Sequence, residues 1–133
     1  MKRRGTPEAD IQRAVVKDLR QVLPRGSILH HSANEVTGGG KAAKIKQGIL
    51  TGMGVYPGFS DLILISEGRI LFLETKSRTG TQSPAQRAFQ AAVEAQGFPY
   101  AIIRSVDDAL AALARYGFRT LIKAAPSRPL EGA

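Results

Sequence analysis

Three ionisable residues stand in two of the most apolar stretches of the chain. The segment YPGFSDLILISEGRILFLETKS, residues 56–77, carries Asp61 at the start of one apolar run, then Glu74 and Lys76 at the end of the next. Glu67 and Gly68 lie between the runs, and a two-residue hairpin loop there sets Ser66 opposite Arg69. Counting outward, Ile65 meets Ile70, Leu64 meets Leu71, Ile63 meets Phe72, Leu62 meets Leu73, and Asp61 meets Glu74. Lys76 projects from the face of Glu74, and Thr75 from the opposite one.

Directly opposed carboxylates are unfavourable in a sheet: at about 5 Å and an effective dielectric near 20 the repulsion is roughly 3 kcal/mol. A divalent cation between them converts that repulsion into coordination, and an all-oxygen ligand set favours Mg²⁺ or Mn²⁺. The alternative is a solvated cluster of ions at a strand end. The opposition depends on loop length, because one extra loop residue removes it.

The elements that must hold these residues can be read from periodicity. Thr6, Pro7 and Glu8 give an N-cap, a first-turn proline and a first-turn acid, and Ile11, Val15, Leu19 and Val22 follow at helical spacing, so a helix is predicted over 7–23, stopped by Pro24. SILHHS predicts a short strand over 27–32. Half of the 14 glycines then fall between Asn34 and Gly58, a long loop in which a short helix over 41–47 can form. Strands over 60–66 and 69–76 are apolar on both faces, which predicts cover by helices on each side. Ser83, Pro84 and Gln86 open a second strong helix, ended by Gly97; YAIIRS is a fourth strand, and Ser105 caps a last helix through about Tyr116. The remainder, ending KAAPSRPLEGA, reads as a loose tail.

Other candidates carry competing explanations. Glu8 leans to the side of Ile11, Gln12 and Val15, yet a first-turn glutamate already favours the helix dipole. Gln86 completes a capping box with Ser83, which alone explains it. His30 and His31 are adjacent in a strand and so face opposite ways, with no third histidine to join them. GGGK lacks the first glycine and the Ser or Thr of a phosphate loop, with Glu35 and Ala42 in those places.

At 133 residues the chain suits a single domain. It has no cysteine, which excludes disulfides, thiolate zinc sites and cysteine nucleophiles. No apolar run approaches the roughly 18 residues of a membrane span, and MKRRGTPEAD is not a secretory signal, so a soluble, cytoplasmic protein is expected. With 19 Lys and Arg against 11 Asp and Glu, the net charge is +8 and the pI about 10.3, which suits a polyanionic partner such as nucleic acid.

PGFSDLILI, a turn, FLETKS, SPAQRAFQ and GFPYAIIRS together resemble the VRR-NUC (virus-type replication-repair nuclease) family of the PD-(D/E)XK superfamily. The family pattern is an N-terminal Glu, then PG-x-x-D, E-x-K and a Gln on the following helix. The likeness runs from Glu8 to about Leu113, and its specificity lies in the ordered set, since E-x-K alone is common. The x positions here are Phe59, Ser60 and Thr75, where family members often carry small or apolar residues; these departures do not touch the charged chemistry.

The resemblance implies a restriction-endonuclease-like α/β fold, a central mixed sheet of about four strands flanked by helices in the order α-β-β-β-α-β-α. The nuclease domain would span 6–117, between a basic N-terminal tail, 1–5, and a C-terminal tail, 118–133. By position it assigns Asp61 and Glu74 as metal ligands with the carbonyl of Thr75 a third, Lys76 as the catalytic lysine, Glu8 as an active-site acid and Gln86 as an active-site polar residue. SANE resembles the family's short strand ending at Asn34.

These assignments imply a Mg²⁺- or Mn²⁺-dependent deoxyribonuclease that hydrolyses phosphodiester bonds selectively in branched or four-way-junction DNA, as in DNA repair. Lys41, Lys44, Lys46, Arg78 and Arg87 would hold the DNA backbone. Small stand-alone members resemble Holliday junction resolvases, which act as homodimers, and nothing in this chain reads as a separate DNA-recognition domain. Two other readings stay open: an inactive DNA-binding module with the same fold, and a basic structural protein whose acids form salt bridges.

Overall fold

Two apolar periodicities, one helical and one alternating, converge on a single four-stranded sheet. The computed structural model describes residues 6–32 and 39–121. Its elements are α1 (Pro7–Val22), β1 (Ile28–His31), α2 (Gly40–Gly52), β2 (Leu62–Ser66), β3 (Arg69–Thr75), α3 (Pro84–Ala95), β4 (Tyr100–Ile103) and α4 (Val106–Arg115). The strands lie in the order β1-β2-β3-β4. The first three are antiparallel, and β4 runs parallel to β3. A parallel neighbour cannot be reached by a tight turn, and α3 supplies the crossover.

The hairpin has the expected register, from Ser66 opposite Arg69 to Leu62 opposite Leu73. Its loop is fixed by two left-handed residues, Glu67 at φ 51° and Gly68 at φ 81°, the requirement of a type I′ turn. Helix starts are equally local. The Thr6 hydroxyl accepts the Ala9 N–H at 3.0 Å, and the Ser105 hydroxyl accepts that of Asp108 at 3.0 Å.

The pleat divides the sheet into two faces. One sends Leu62, Leu64, Leu71, Leu73 and Ile103 against Val15 and Leu19 of α1 and Ala109 and Leu113 of α4, all buried. Fully burying one such leucine is worth roughly 1.5–3 kcal/mol, so this layer anchors the hairpin. The other face packs Phe72 of β3 and Tyr100 and Ile102 of β4 against Phe89 and Val93 of α3, with Phe59 alongside. The cover expected on both faces is incomplete, because α3 lies over the β3–β4 side: Ile65 on β2 and Ile28 on β1 stay exposed.

Three further differences from the sequence reading have simple causes. The helix expected over 41–47 is longer, Gly40–Gly52, and adds an element to the α-β-β-β-α-β-α order. No residue of α2 is buried, so no apolar stripe marked its length. Residues 118–121, expected in the tail, are held to the domain: Phe118 is buried in the core and its N–H donates to the Leu113 carbonyl at 2.8 Å, while the Leu121 N–H donates to the Val22 carbonyl. Asn34 lies outside the described residues.

Thr75 ends the leucine face of β3, and among the described residues its Oγ1 is the buried side-chain polar atom left without a hydrogen-bond partner. A buried unsatisfied hydroxyl costs on the order of 1–3 kcal/mol. Thr75→Val keeps the branched shape and the backbone, so it should stabilise the domain by about 1 kcal/mol. Thermal melting of the two proteins checks this: an unchanged or lower Tm would mean that the hydroxyl has a partner.

Candidate active site

The open end of the hairpin carries the opposition that its register requires. Asp61 sits one residue before β2 and continues its pairing: its carbonyl accepts the Ser32 N–H at 2.9 Å, and its Oδ2 accepts the Thr75 N–H at 2.8 Å. The Asp61 carboxylate is thereby tied to the main chain between Glu74 and Lys76. Glu74 is almost wholly enclosed, at 1% exposure, and Lys76 is buried just past β3, where its N–H donates to the Ile103 carbonyl at 3.0 Å. A cavity of about 410 Å³ opens over this strand end and is lined by Glu8, Gln47, Pro57, Asp61, Glu74 and Gln86 among others.

Gln86 reaches Glu74 because of the way α3 begins. The Ser83 N–H donates to Gln86 Oε1 at 2.8 Å, and the Gln86 N–H donates to Ser83 Oγ at 3.1 Å, a complete capping box. With its oxygen so used, the amide turns its nitrogen inward, and Nε2 donates to Glu74 Oε2 at 2.8 Å. One side chain therefore both caps the helix and binds the acid. Gly58 brings the Asp61 loop against the same helix start: at φ +77°, a Cβ there would lie 2.3 Å from the Ala85 carbonyl oxygen. Only glycine permits that approach.

The loop after Lys76 is held from β4. Arg104 Nη1 donates to the carbonyls of Ser77 at 2.6 Å and Gly80 at 2.8 Å. Gly80 in turn lies beside Glu8, whose Oε2 is 3.0 Å from where a Cβ on Gly80 would stand. Arg104 thus fixes the segment that separates Lys76 from the helix carrying Glu8.

Burial pushes the Glu74 carboxyl up to about 8, helped by the negative charge of Asp61, a hydrogen bond shared with it, and more weakly by Glu8, while the Lys76 ammonium opposes the rise. At neutral pH the pair therefore holds a proton. Burial and the charge of Glu74 also raise the Tyr100 phenol, which stays a hydrogen-bond donor, its hydroxyl 3.5 Å from Glu74 Oε1.

The structure brings Glu8, Asp61, Glu74 and Gln86 together around the cavity, with Lys76 beside Glu74 but outside the cavity lining. Lys41, Lys44 and Lys46 are exposed on α2, Arg78 is exposed on the loop after β3, and Arg87 is exposed but donates to the Gln82 carbonyl at 2.9 Å. His30 and His31 are both exposed and do not line the cavity. Tyr100, Gln82 and Arg104 were not legible as site residues, because YAIIRS reads as a plain apolar strand and Gln82 as a loop residue; the PG of the opening motif was the available signal for Gly58.

No protein-family model matches the chain, and no curated protein does. Solved structures do. One, a "VRR_NUC domain protein", superposes with a TM-score of 0.61 at 24% identity, covering 86% of this chain and 91% of its own. Another, a "VRR_NUC domain", gives a TM-score of 0.54 at 16% identity over 86% of this chain and all of its own. The chain has the VRR_NUC fold. The mixed α/β architecture expected from the sequence, a four-stranded sheet flanked by helices, is accordingly shown.

Within this VRR_NUC fold, the donor set can be tested for a metal. Among the described residues no group of three or more His, Asp or Glu side chains is placed to hold one. Mg²⁺ does not require such a group, because it binds through one or two carboxylates and keeps several waters. Asp61 and Glu74 are such a pair, and the carbonyl of Thr75 lies between Glu74 and Lys76 in the chain. The residues present fit a small divalent cation.

The raised carboxyl of Glu74 makes stability depend on pH in a defined direction. Unfolded, it titrates near 4.5; folded, near 8. Between those values the folded state keeps a proton that the unfolded state has released, so stability falls as pH rises through that window and levels off above it, by a few kcal/mol at most. The Tm of the metal-free protein should decline from pH 5 to 8, and Glu74→Gln should flatten the decline. An equally steep decline in the variant would place the titration elsewhere.

Proposed function

We propose that the chain is a metal-dependent nuclease that hydrolyses phosphodiester bonds in DNA, with branched or four-way-junction DNA as the preferred substrate. The observation that carries the reading is the convergence of half-buried Asp61 on buried Glu74, with Gln86 donating to Glu74 and the Lys76 ammonium close by. A structural salt-bridge cluster gains nothing from enclosing two acids this closely. The VRR_NUC fold of the neighbouring structures agrees with a nuclease.

Asp61 and Glu74 would hold Mg²⁺ or Mn²⁺, with the carbonyl of Thr75 completing the protein's share. When bound, such an ion supplies Lewis acidity toward a phosphoryl oxygen and toward water. Gln86 keeps Glu74 turned in one direction, and the Thr75 N–H does the same for Asp61. Lys76, beside Glu74, would position or help deprotonate the attacking water, or offset charge that builds on the phosphate in the transition state. Glu8, which lines the same cavity, would hold a water by hydrogen bonding. Lys41, Lys44, Lys46, Arg78 and Arg87 supply cationic surface for the DNA backbone. A homodimer belongs to this reading, and α2 with its C-cap offers surface for one: Ile45, Ile49 and Met53, spaced four residues apart, are 55%, 58% and 77% exposed.

Cleavage assays on junction, flap, nicked and linear DNA with Mg²⁺ or Mn²⁺ test the reading. Glu74→Ala and Lys76→Ala should each lower the rate at least about 100-fold while the fold persists by circular dichroism. Cleavage that survives both substitutions would sink the mechanism; metal-independent binding without cleavage would leave a binding module.

The α2 lysines have their own signature. Replacing Lys41, Lys44 and Lys46 by alanine should weaken binding to all DNA sequences alike, and should reduce the slope of log affinity against log salt by up to about 0.9 for each phosphate that is no longer neutralised. An unchanged salt slope would remove these lysines from the interface.

A further inference from the structure

Gln82, Gln86, Gln90 and Glu94 recur at four-residue intervals through α3 and the residue pair before it. Gln86 binds Glu74 directly, and the other three form a chain of hydrogen bonds that leads to the same carboxylate. A carboxylate can only accept, so Gln90 Nε2 donates to Glu94 Oε2 at 3.2 Å. That turns Gln90 Oε1 toward Gln82, whose Nε2 donates to it at 2.9 Å and to the Tyr100 hydroxyl oxygen at 3.1 Å. A phenol has one proton. With its oxygen accepting from Gln82, Tyr100 directs that proton to Glu74 Oε1, 3.5 Å away.

Tyr100 is 3% exposed and Glu74 1%, so bulk water does not compete for these groups. The last contact is long for an O–H to oxygen bond, and it therefore orients the carboxylate rather than gripping it. The two Glu74 oxygens receive donors from different places: Oε2 from the capping glutamine, Oε1 from the far end of the chain through β4.

We infer that Gln82 and Tyr100 are positioning residues for Glu74, an arm opposite Gln86 that fixes which carboxylate lone pairs remain for a divalent cation. The inference rests on the metal-dependent reading of the site. It assigns a role to two residues outside the ordered acidic and lysine pattern, and it makes α3 the source of both constraints on Glu74.

Calorimetric titration of Mn²⁺ alone into DNA-free protein tests it, with Tyr100→Phe, Gln82→Met and the double variant beside the unaltered protein. Each single substitution should weaken Mn²⁺ binding by about tenfold, the scale seen when a metal ligand is deprived of an outer partner. The double variant should be no weaker than Tyr100→Phe, because both changes break one arm. Metal-free melting should move by no more than a few degrees, and saturating Mn²⁺ should restore most of the cleavage rate. Gln82 is half-exposed, so its variant decides the matter even where Tyr100→Phe fails to fold. Unaltered Mn²⁺ affinity in folded variants would overturn the inference alone. Additive losses that track a fall in metal-free stability would reduce both residues to packing and overturn it as well. Failure of the unaltered protein to bind Mn²⁺ would overturn the metal reading, and the inference with it.

Discussion

The encounter of half-buried Asp61 with buried Glu74 is the interaction around which the rest of this domain is arranged. The hairpin that creates it has leucines on one side clamped by α1 and α4, so the strand ends cannot drift apart to relieve the repulsion. Relief comes instead from every group within reach. Asp61 takes a main-chain N–H from Thr75, Glu74 takes the amide of Gln86, the Lys76 ammonium lies close enough to lower the carboxyl of Glu74, and a proton supplies the rest. An apolar frame that were softer would let the two acids separate into water, and none of these arrangements would be needed.

Helix α3 shows how one element can serve stability and chemistry with the same atoms. A capping glutamine in an ordinary helix has a free amide nitrogen facing solvent; here Gly58 draws the Asp61 loop against the first turn and the nitrogen faces a carboxylate. The two explanations of Gln86 that compete in the sequence are therefore not alternatives. Cap formation selects the orientation of the amide, and orientation is what the acid requires.

How much of this was legible in the sequence follows from which features local rules determine. The hairpin could be read residue by residue, because a two-residue loop fixes parity and every pairing up to Leu62 with Leu73 follows from it. Helix starts at Thr6, Ser83 and Ser105 were legible for the same reason, since each cap is a contact across three residues. The extent of α2 was not, because a helix that buries nothing has no apolar stripe to count. Nor were Tyr100 and Arg104, whose partners lie 26 and 24 to 27 residues away and depend on the parallel placement of β4 beside β3. Local periodicity shows that β4 is a strand; it says nothing of which loop the arginine that follows it will hold.

The electrostatics of the whole chain and of the cavity point in opposite directions, and that contrast bears on how the site would work. The chain is strongly basic, with a net charge of +8, yet the cavity lining includes Asp61, Glu74 and Glu8. A nucleic-acid backbone is attracted by the first and repelled by the second. Protonation of Glu74 removes only part of the repulsion, since Asp61 remains tied as an acceptor to the Thr75 N–H. In the metal-dependent reading, a divalent cation must displace that proton to bind, so its affinity rises with pH up to about 8. Held by Asp61 and Glu74, such a cation would also offset the negative charge that repels a phosphate. On that reading, surface binding of DNA and entry of a phosphate into the cavity would be separable steps, the first governed by lysines on α2 and the second by what occupies the space between two acids.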